Sequence, residues 1–98
     1  MTALSTRRWR VPAGAGILWR SWADEYIVYE NASGDTHQLD QISALALKEL
    51  QQKQASLPEL NELVAAALSI ESDSELSIYL DKVISNLHRL DLIEPAFD

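Results

Sequence analysis

Asp35 and His37 come closest to a pair of residues that could do chemistry. They are two apart on a segment predicted to be extended, so both side chains point to one side, and a carboxylate beside an imidazole could begin an acid–base or metal site. No third ligand or nucleophile accompanies them, because the chain has no cysteine and the second histidine, His88, lies on another element. We therefore expect no enzyme activity, no metal and no cofactor.

The hairpin that positions this pair spans residues 25–40. Its first strand is the aromatic and β-branched run Tyr26–Tyr29, and its second is the short polar run Thr36–Leu39. Gly34 lies in the turn between them, where glycine can adopt positive φ without a Cβ clash. Asp40 then offers the short acceptor side chain of a helix N-cap, which predicts that a helix follows the hairpin directly.

The segment before the hairpin supplies a further strand, Ile17–Trp22. Both faces of this strand are partly apolar, so one face should pack on helices and the other needs a cover or a partner. Residues 7–11 are too few to assign, and we leave open a short strand that pairs elsewhere or an arm. Pro12, Gly14 and Gly16 end any regular structure there.

Three helical patterns follow the strands. The first covers Gln41–Gln52, and the second begins at a capping box made by Ser56 and Glu59. Ser72–Glu75 repeats that pattern for a third helix over about residues 73–90. The third helix has one apolar stripe, formed by Leu76, Leu80, Val83, Leu87 and Leu90. Three further apolar side chains lie off this stripe, so the helix has more apolar surface than one contact needs; they are Ile78, Tyr79 and Ile84.

Strands segregated from helices indicate the α+β class. We predict a single domain over residues 1–98, with residues 1–8 flexible, in which an N-terminal three-stranded antiparallel sheet precedes three helices in a winged-helix-like order. Residues 91–95 should form a short extended tail that closes the domain. The 98 residues are 47% hydrophobic, enough for one core without disulfides.

Charge is distributed unevenly along the chain. The first four charged side chains are Arg7, Arg8, Arg10 and Arg20, yet the whole chain carries a net charge of −7. An acidic body repels nucleic acid and anionic membranes and favours basic partners. With no apolar run long enough for a membrane span and no secretory signal, we expect a cytoplasmic protein that binds neither membrane nor nucleic acid.

A winged-helix nucleic-acid binder nevertheless stays open as the alternative. In that fold the third helix enters the major groove, and the arginine-rich N-terminus of the chain could contact the phosphate backbone of the nucleic acid. Acids outnumber bases among the exposed positions of the third helix, which disfavours contact with phosphates. These positions are Asp73, Glu75, Ser77, Asp81, Lys82, Ser85 and Asn86.

The short strand Thr36–Leu39 is the remaining candidate for function. If it lies at the edge of the sheet, its free N–H and C=O groups can template an extended peptide, with the third helix supplying pockets for alternate side chains. Two other interpretations stay open: an edge strand this short pairs with no other chain, or it pairs with a second copy in a homodimer.

The pattern of these residues resembles the PqqD family of small peptide chaperones. The resemblance covers Ile17–Ile93 and is carried by Trp19, Trp22-Ala23-Asp24-Glu25-Tyr26, Val28-Tyr29, Ser33-Gly34-Asp35-Thr36-His37 and Leu39-Asp40. Gly34-Asp35-Thr36-His37 resembles the branch associated with HPr-kinase-related proteins. The Gly-Asp-Thr-His turn and the tryptophan-rich opening strand depart from members that act in quinone-cofactor synthesis.

This resemblance implies a recognition module for the leader peptides of ribosomally made, modified peptides. It implies that the leader binds as an added strand beside the third strand of the sheet, against the third helix. The implied partners are a precursor peptide and the enzyme that modifies it, with no catalytic residue in the module itself. The implied contact residues are Thr36, His37, Gln38, Leu39, Tyr79, Val83, Ile84 and Asn86.

Overall fold

The structure, a computed structural model, describes residues 7–23, 25–31 and 33–96. Of the segment predicted to be flexible, residues 1–6 lie outside the described residues, and Arg8 belongs to a strand. The elements in chain order are β1 Arg8–Arg10, β2 Ile17–Trp22, β3 Glu25–Glu30, β4 Thr36–Leu39, α1 Gln41–Gln52, β5 Ala55–Ser56, α2 Leu57–Leu68, α3 Ser74–Arg89 and β6 Glu94–Ala96.

The main sheet has the order β2-β3-β4 and is antiparallel throughout. Its β3–β4 hairpin turns at Gly34, which has φ +77° and donates its N–H to the Glu30 carbonyl at 2.8 Å. The Glu30 N–H donates in turn to the Asp35 carbonyl at 2.9 Å. This sheet followed by three helices confirms the predicted α+β class and strand arrangement.

A second three-stranded sheet, β5-β1-β6, was not predicted as a sheet. The segment left open between strand and arm is its central strand β1, which pairs with β5 on one side and with the C-terminal β6 on the other. The indole of Trp9 on β1 lies edge-on to the His88 ring, 5.1 Å between centroids. The predicted extended tail over residues 91–95 is therefore wrong at its start, where Asp91 lies in a turn at φ +64°, and right from Glu94, where β6 pairs with β1.

The helices begin at side-chain caps. Asp40 accepts the Ser43 N–H at 2.7 Å, and Ser56 and Glu59 form the predicted capping box at the start of α2. The predicted cap of α3 is wrong by one residue, because Asp73 and not Ser72 accepts the Leu76 N–H, at 3.0 Å. The Asp73 carboxylate occupies the N-cap position and accepts a backbone N–H of the first helical turn.

The core lies between the three helices and the inner face of the main sheet, to which Val28 and Leu39 contribute. The core includes Leu76, Leu80 and Leu87 of α3, as predicted. It also takes up Ile84, which is only 4% exposed. The predicted surplus of apolar side chains on α3 is therefore wrong for Ile84 and holds for Ile78 and Tyr79, which are 61% and 40% exposed.

None of the helices in the described part of the chain combines the length and apolarity required to cross a bilayer.

Candidate functional site

The outer edge of β4 carries backbone groups that no strand of the described chain uses. The sheet order places β3 on one side of β4 and no strand on the other. The N–H groups of Glu30 and Asn31 donate towards β4 and β2 respectively, which fixes the alternation along β3. In an antiparallel ladder every second residue turns its N–H and C=O away from its partner. On β4 these residues are Thr36 and Gln38, whereas His37 and Leu39 bond to β3.

The main sheet has a second edge, along β2, that no strand of the described residues pairs. The same alternation turns the backbone groups of Ile17, Trp19 and Ser21 outward there. Beside this edge the Trp19 indole donates to Gln51 Oε1 of α1 at 2.8 Å, and the Lys48 ammonium lies 5.0 Å from the Trp19 ring centroid. These contacts hold Trp19 against α1.

A cavity of about 410 Å³ adjoins the C-terminal end of β4. Its lining joins the edge strand to the start of β3 and the start of α1, through Glu25, Gln38, Leu39, Asp40 and Gln41. Two of these side chains are carboxylates and two are amides, so the cavity can take polar or cationic groups. Its position at the end of β4 provides room for a chain that runs along the β4 edge.

A hydrogen bond joins the third helix to this cavity. The Tyr79 hydroxyl of α3 donates to Asp40 Oδ2, while Asp40 Oδ1 caps α1 through the Ser43 N–H. Partial burial works to raise the pKa of Asp40, but the hydrogen bonds from Tyr79 and Ser43 outweigh it and hold this pKa below its ordinary value. The same hydrogen bond raises the pKa of Tyr79, with burial and the Asp40 charge acting in the same direction.

These two pKa shifts predict a pH window for the stability that the Tyr79–Asp40 bond contributes. Because the pKa of Asp40 is lowered in the folded state, the bond stabilises the fold above pH 3.8, and this stabilisation is lost as the pH falls through the pKa of Asp40 in the folded protein. Because the pKa of Tyr79 is raised in the folded state, the stabilisation is present below pH 10.0 and is lost as the pH rises through the pKa of Tyr79 in the folded protein. We expect Tyr79→Phe to lower the free energy of unfolding by less than about 1 kcal/mol inside this window, because both partners are exposed and solvent screens the bond.

Urea unfolding at several pH values checks this, with Tyr29→Phe as the control. Tyr29 is 39% exposed, against 40% for Tyr79, but it lies on the sheet. The Tyr79→Phe variant should lose less stability than the wild type between about pH 9 and about pH 11, the range where tyrosine ionises. Equal alkaline losses in the wild type and in Tyr79→Phe would contradict the assignment.

His37 lies half-buried on the inner face of β4, opposite Val28. Its Nε2 atom is buried and has no hydrogen-bond partner among the residues that the structure describes. Asp35 is exposed, and neither a hydrogen bond nor an ion pair joins it to His37, so the structure does not form the pair that their spacing allowed. Across residues 7–23, 25–31 and 33–96, no group of three or more histidine or acidic side chains could hold a metal ion.

The predicted contact residues on α3 differ in what they expose. Tyr79 is half-exposed and reaches Asp40, and Asn86 is half-buried and accepts a hydrogen bond from Arg89. Val83 and Ile84 are 5% and 4% exposed, because both pack in the core between the helices. Tyr79 is therefore the apolar side chain of this set that α3 presents near β4.

The arginines that supported the nucleic-acid alternative are largely engaged by the chain itself. Arg8 pairs with Glu59 at 3.2 Å, and Arg10 pairs with Glu94 at 2.7 Å. Arg7 lies over the Trp9 ring, 5.9 Å from its centroid. Two of these three cations already face a carboxylate, so the cluster is not a free basic stripe of the kind that binds phosphates.

Sequence reasoning identified the edge strand but missed the cavity at its end. Glu25 and Gln41 line that cavity, and no local pattern marks them, because they flank elements that meet only in the folded sheet. The Asp40–Tyr79 bond joins residues that are 39 positions apart. Asp40 was recognised as a helix cap, which accounts for only one of its two oxygens.

Comparison with known proteins places the fold. No protein-family model and no curated protein sequence matches the chain. Among solved structures, "TbiB1 in Complex with the TbiA(beta) Leader Peptide" matches with a TM-score of 0.66 and 16% sequence identity. The match covers 91% of this chain and 99% of the TbiB1 chain. The chain therefore has the fold of TbiB1, a protein solved with a leader peptide bound.

Proposed function

We propose that this protein is a non-catalytic recognition module that binds the leader of a ribosomally made precursor peptide as an added strand on β4. One observation carries the proposal: Thr36 and Gln38 present backbone N–H and C=O groups, which no strand of the described residues pairs, along an edge that ends at a cavity. Main-chain hydrogen bonds to these two residues supply affinity, since strand addition uses the peptide backbone.

The similarity of fold to TbiB1 supports this function, because that protein was solved with a leader peptide. The sequence also resembles the PqqD family over residues 17–93, through short motifs around the same hairpin. We further propose that the module presents the bound precursor to a modifying enzyme. The peptide would contact α3 chiefly at Tyr79, with His37 and Asn86 as further contacts. Leu39, Val83 and Ile84 lie in the core and would offer it almost no surface.

Hydrogen exchange of individual backbone amides tests the proposal. The probe is a synthetic peptide that covers the leader of the precursor encoded nearest to this protein's gene. We expect the amides of Thr36 and Gln38 to exchange at least about tenfold more slowly with peptide, because they gain partners, whereas those of His37 and Leu39 are already bonded to β3.

The internal comparison is the second edge, along β2. Slower exchange at Ile17, Trp19 and Ser21, with Thr36 and Gln38 unchanged, would move the peptide to β2 and contradict the proposed site. Binding that protects neither edge would reject strand addition altogether. Binding of duplex DNA that weakens steeply with salt would instead favour the nucleic-acid alternative.

A further inference from the structure

The face of the main sheet turned away from the helices carries exposed apolar side chains that the described chain leaves uncovered. Cross-strand partners share a face of a sheet, so the register assigns the side chains of this outer face on β2 and β3. They are Leu18, Arg20, Trp22, Glu25, Ile27 and Tyr29. Trp22 is 79% exposed and Leu18 is 61% exposed, and exposed apolar patches on soluble proteins mark interaction surfaces.

The outer face also carries one cation and one anion that do not pair with each other. Arg20 lies opposite Ile27, and Glu25 lies opposite Trp22, so Arg20 and Glu25 are diagonal neighbours across β2 and β3. The ion pairs within the described residues are Arg8–Glu59 and Arg10–Glu94. Neither Arg20 nor Glu25 takes part in an ion pair among the described residues, so both charges are open to a second copy.

We propose that a second copy of this chain packs on the outer face, sheet against sheet, about a two-fold axis. In such an isologous interface each contact occurs twice, so Arg20 of each copy meets Glu25 of the other. Leu18 and Trp22 of both copies become buried between the sheets. A second copy supplies the apolar surface, the cation and the anion together, and this complementarity favours it over an unrelated partner.

The interface leaves the backbone edge of β4 free for a peptide, although Glu25 also lines the cavity at the end of that edge. An added strand lies in the plane of the sheet, beside Thr36 and Gln38, whereas the second copy lies above that plane. The face of a three-stranded sheet is smaller than the roughly 800 Å² per partner of a standard stable interface, so the dimer is weak. We expect a dissociation constant in the range of about 10 µM to about 1 mM.

Sedimentation equilibrium of the full chain across that concentration range tests the proposal. Arg20→Glu and Glu25→Arg should each weaken dimerisation about tenfold or more, because each places like charges opposite one another. The double variant should restore it, since the pair is then reversed but still complementary. Trp22→Ser should weaken dimerisation to a similar degree without changing these charges.

Lys82→Glu is the control, because it changes the net charge as Arg20→Glu does, but at an exposed position on α3. A wild type that stays monomeric throughout the range would overturn the proposal, as would a dimer that withstands both charge reversals. A monomer whose outer face binds another protein would assign the face to that protein and also overturn it. The exchange of Thr36 and Gln38 amides, measured in Arg20→Glu with peptide, judges the proposed function separately.

Discussion

Replacement of Gln38 by proline is expected to reduce the affinity for the leader peptide by about tenfold or more, with the fold retained. Proline removes the outward N–H of Gln38 and puts its ring where the added strand must approach. One lost hydrogen bond costs about 0.5–1.5 kcal/mol, and the steric contact adds to this. Isothermal titration of the leader peptide into each variant measures the change.

The fold should survive because Gln38 lies on an edge strand and its N–H bonds to no residue of β3. The preceding residue, His37, is already extended, as a residue before proline prefers. Gln38→Ala is the matched control, since it removes the same side chain but keeps the N–H. If Gln38→Pro is folded by circular dichroism and binds as tightly as Gln38→Ala, the peptide does not use this edge.

The largest effect on stability is expected at Leu80 of α3. Its side chain is fully buried, at 0% exposure, in the core between the helices. Leu80→Ala should lower the free energy of unfolding by about 2–5 kcal/mol, because it removes buried methyl groups and leaves a cavity that the surrounding helices only partly close. Urea denaturation followed by circular dichroism measures the loss.

Ile78→Ala is the control on the same helix. Ile78 is 61% exposed, so its truncation should change the free energy of unfolding by no more than about 0.5 kcal/mol. Alanine is also the better helix former, which works against any loss. Similar losses in the two variants would show that α3 is not oriented as described, and would also displace Tyr79 from the β4 edge.

The chain's local patterns were enough to predict the elements of the main sheet and the helices. Gln41–Gln52 and Thr36–Leu39 were predicted with their observed bounds, because aromatic and β-branched runs, caps and apolar spacing act between residues a few positions apart. Ser56 and Glu59 announced the start of α2 for the same reason. Such signals are local, and they lie in the sequence whatever surrounds them.

Only the tertiary structure decided the second sheet. The three residues of β1 carry too little pattern to identify a strand, and their partners on β5 and β6 lie far away along the chain. Tertiary packing likewise decided that Ile84 is core while Tyr79 is half-exposed, since a helix with apolar side chains on several faces does not itself specify which of them meets a neighbour.

The features of the candidate site can likewise be separated into those that the sequence determined and those that the tertiary structure determined. Its strand, its N-cap and the supply of apolar residues on α3 were determined by the sequence alone. Which N–H groups of β4 point outward depends on its pairing with β3, and the cavity depends on where the first residues of β3 and α1 meet. Strand pairing and the meeting of distant elements are long-range contacts, which only the folded chain brings together.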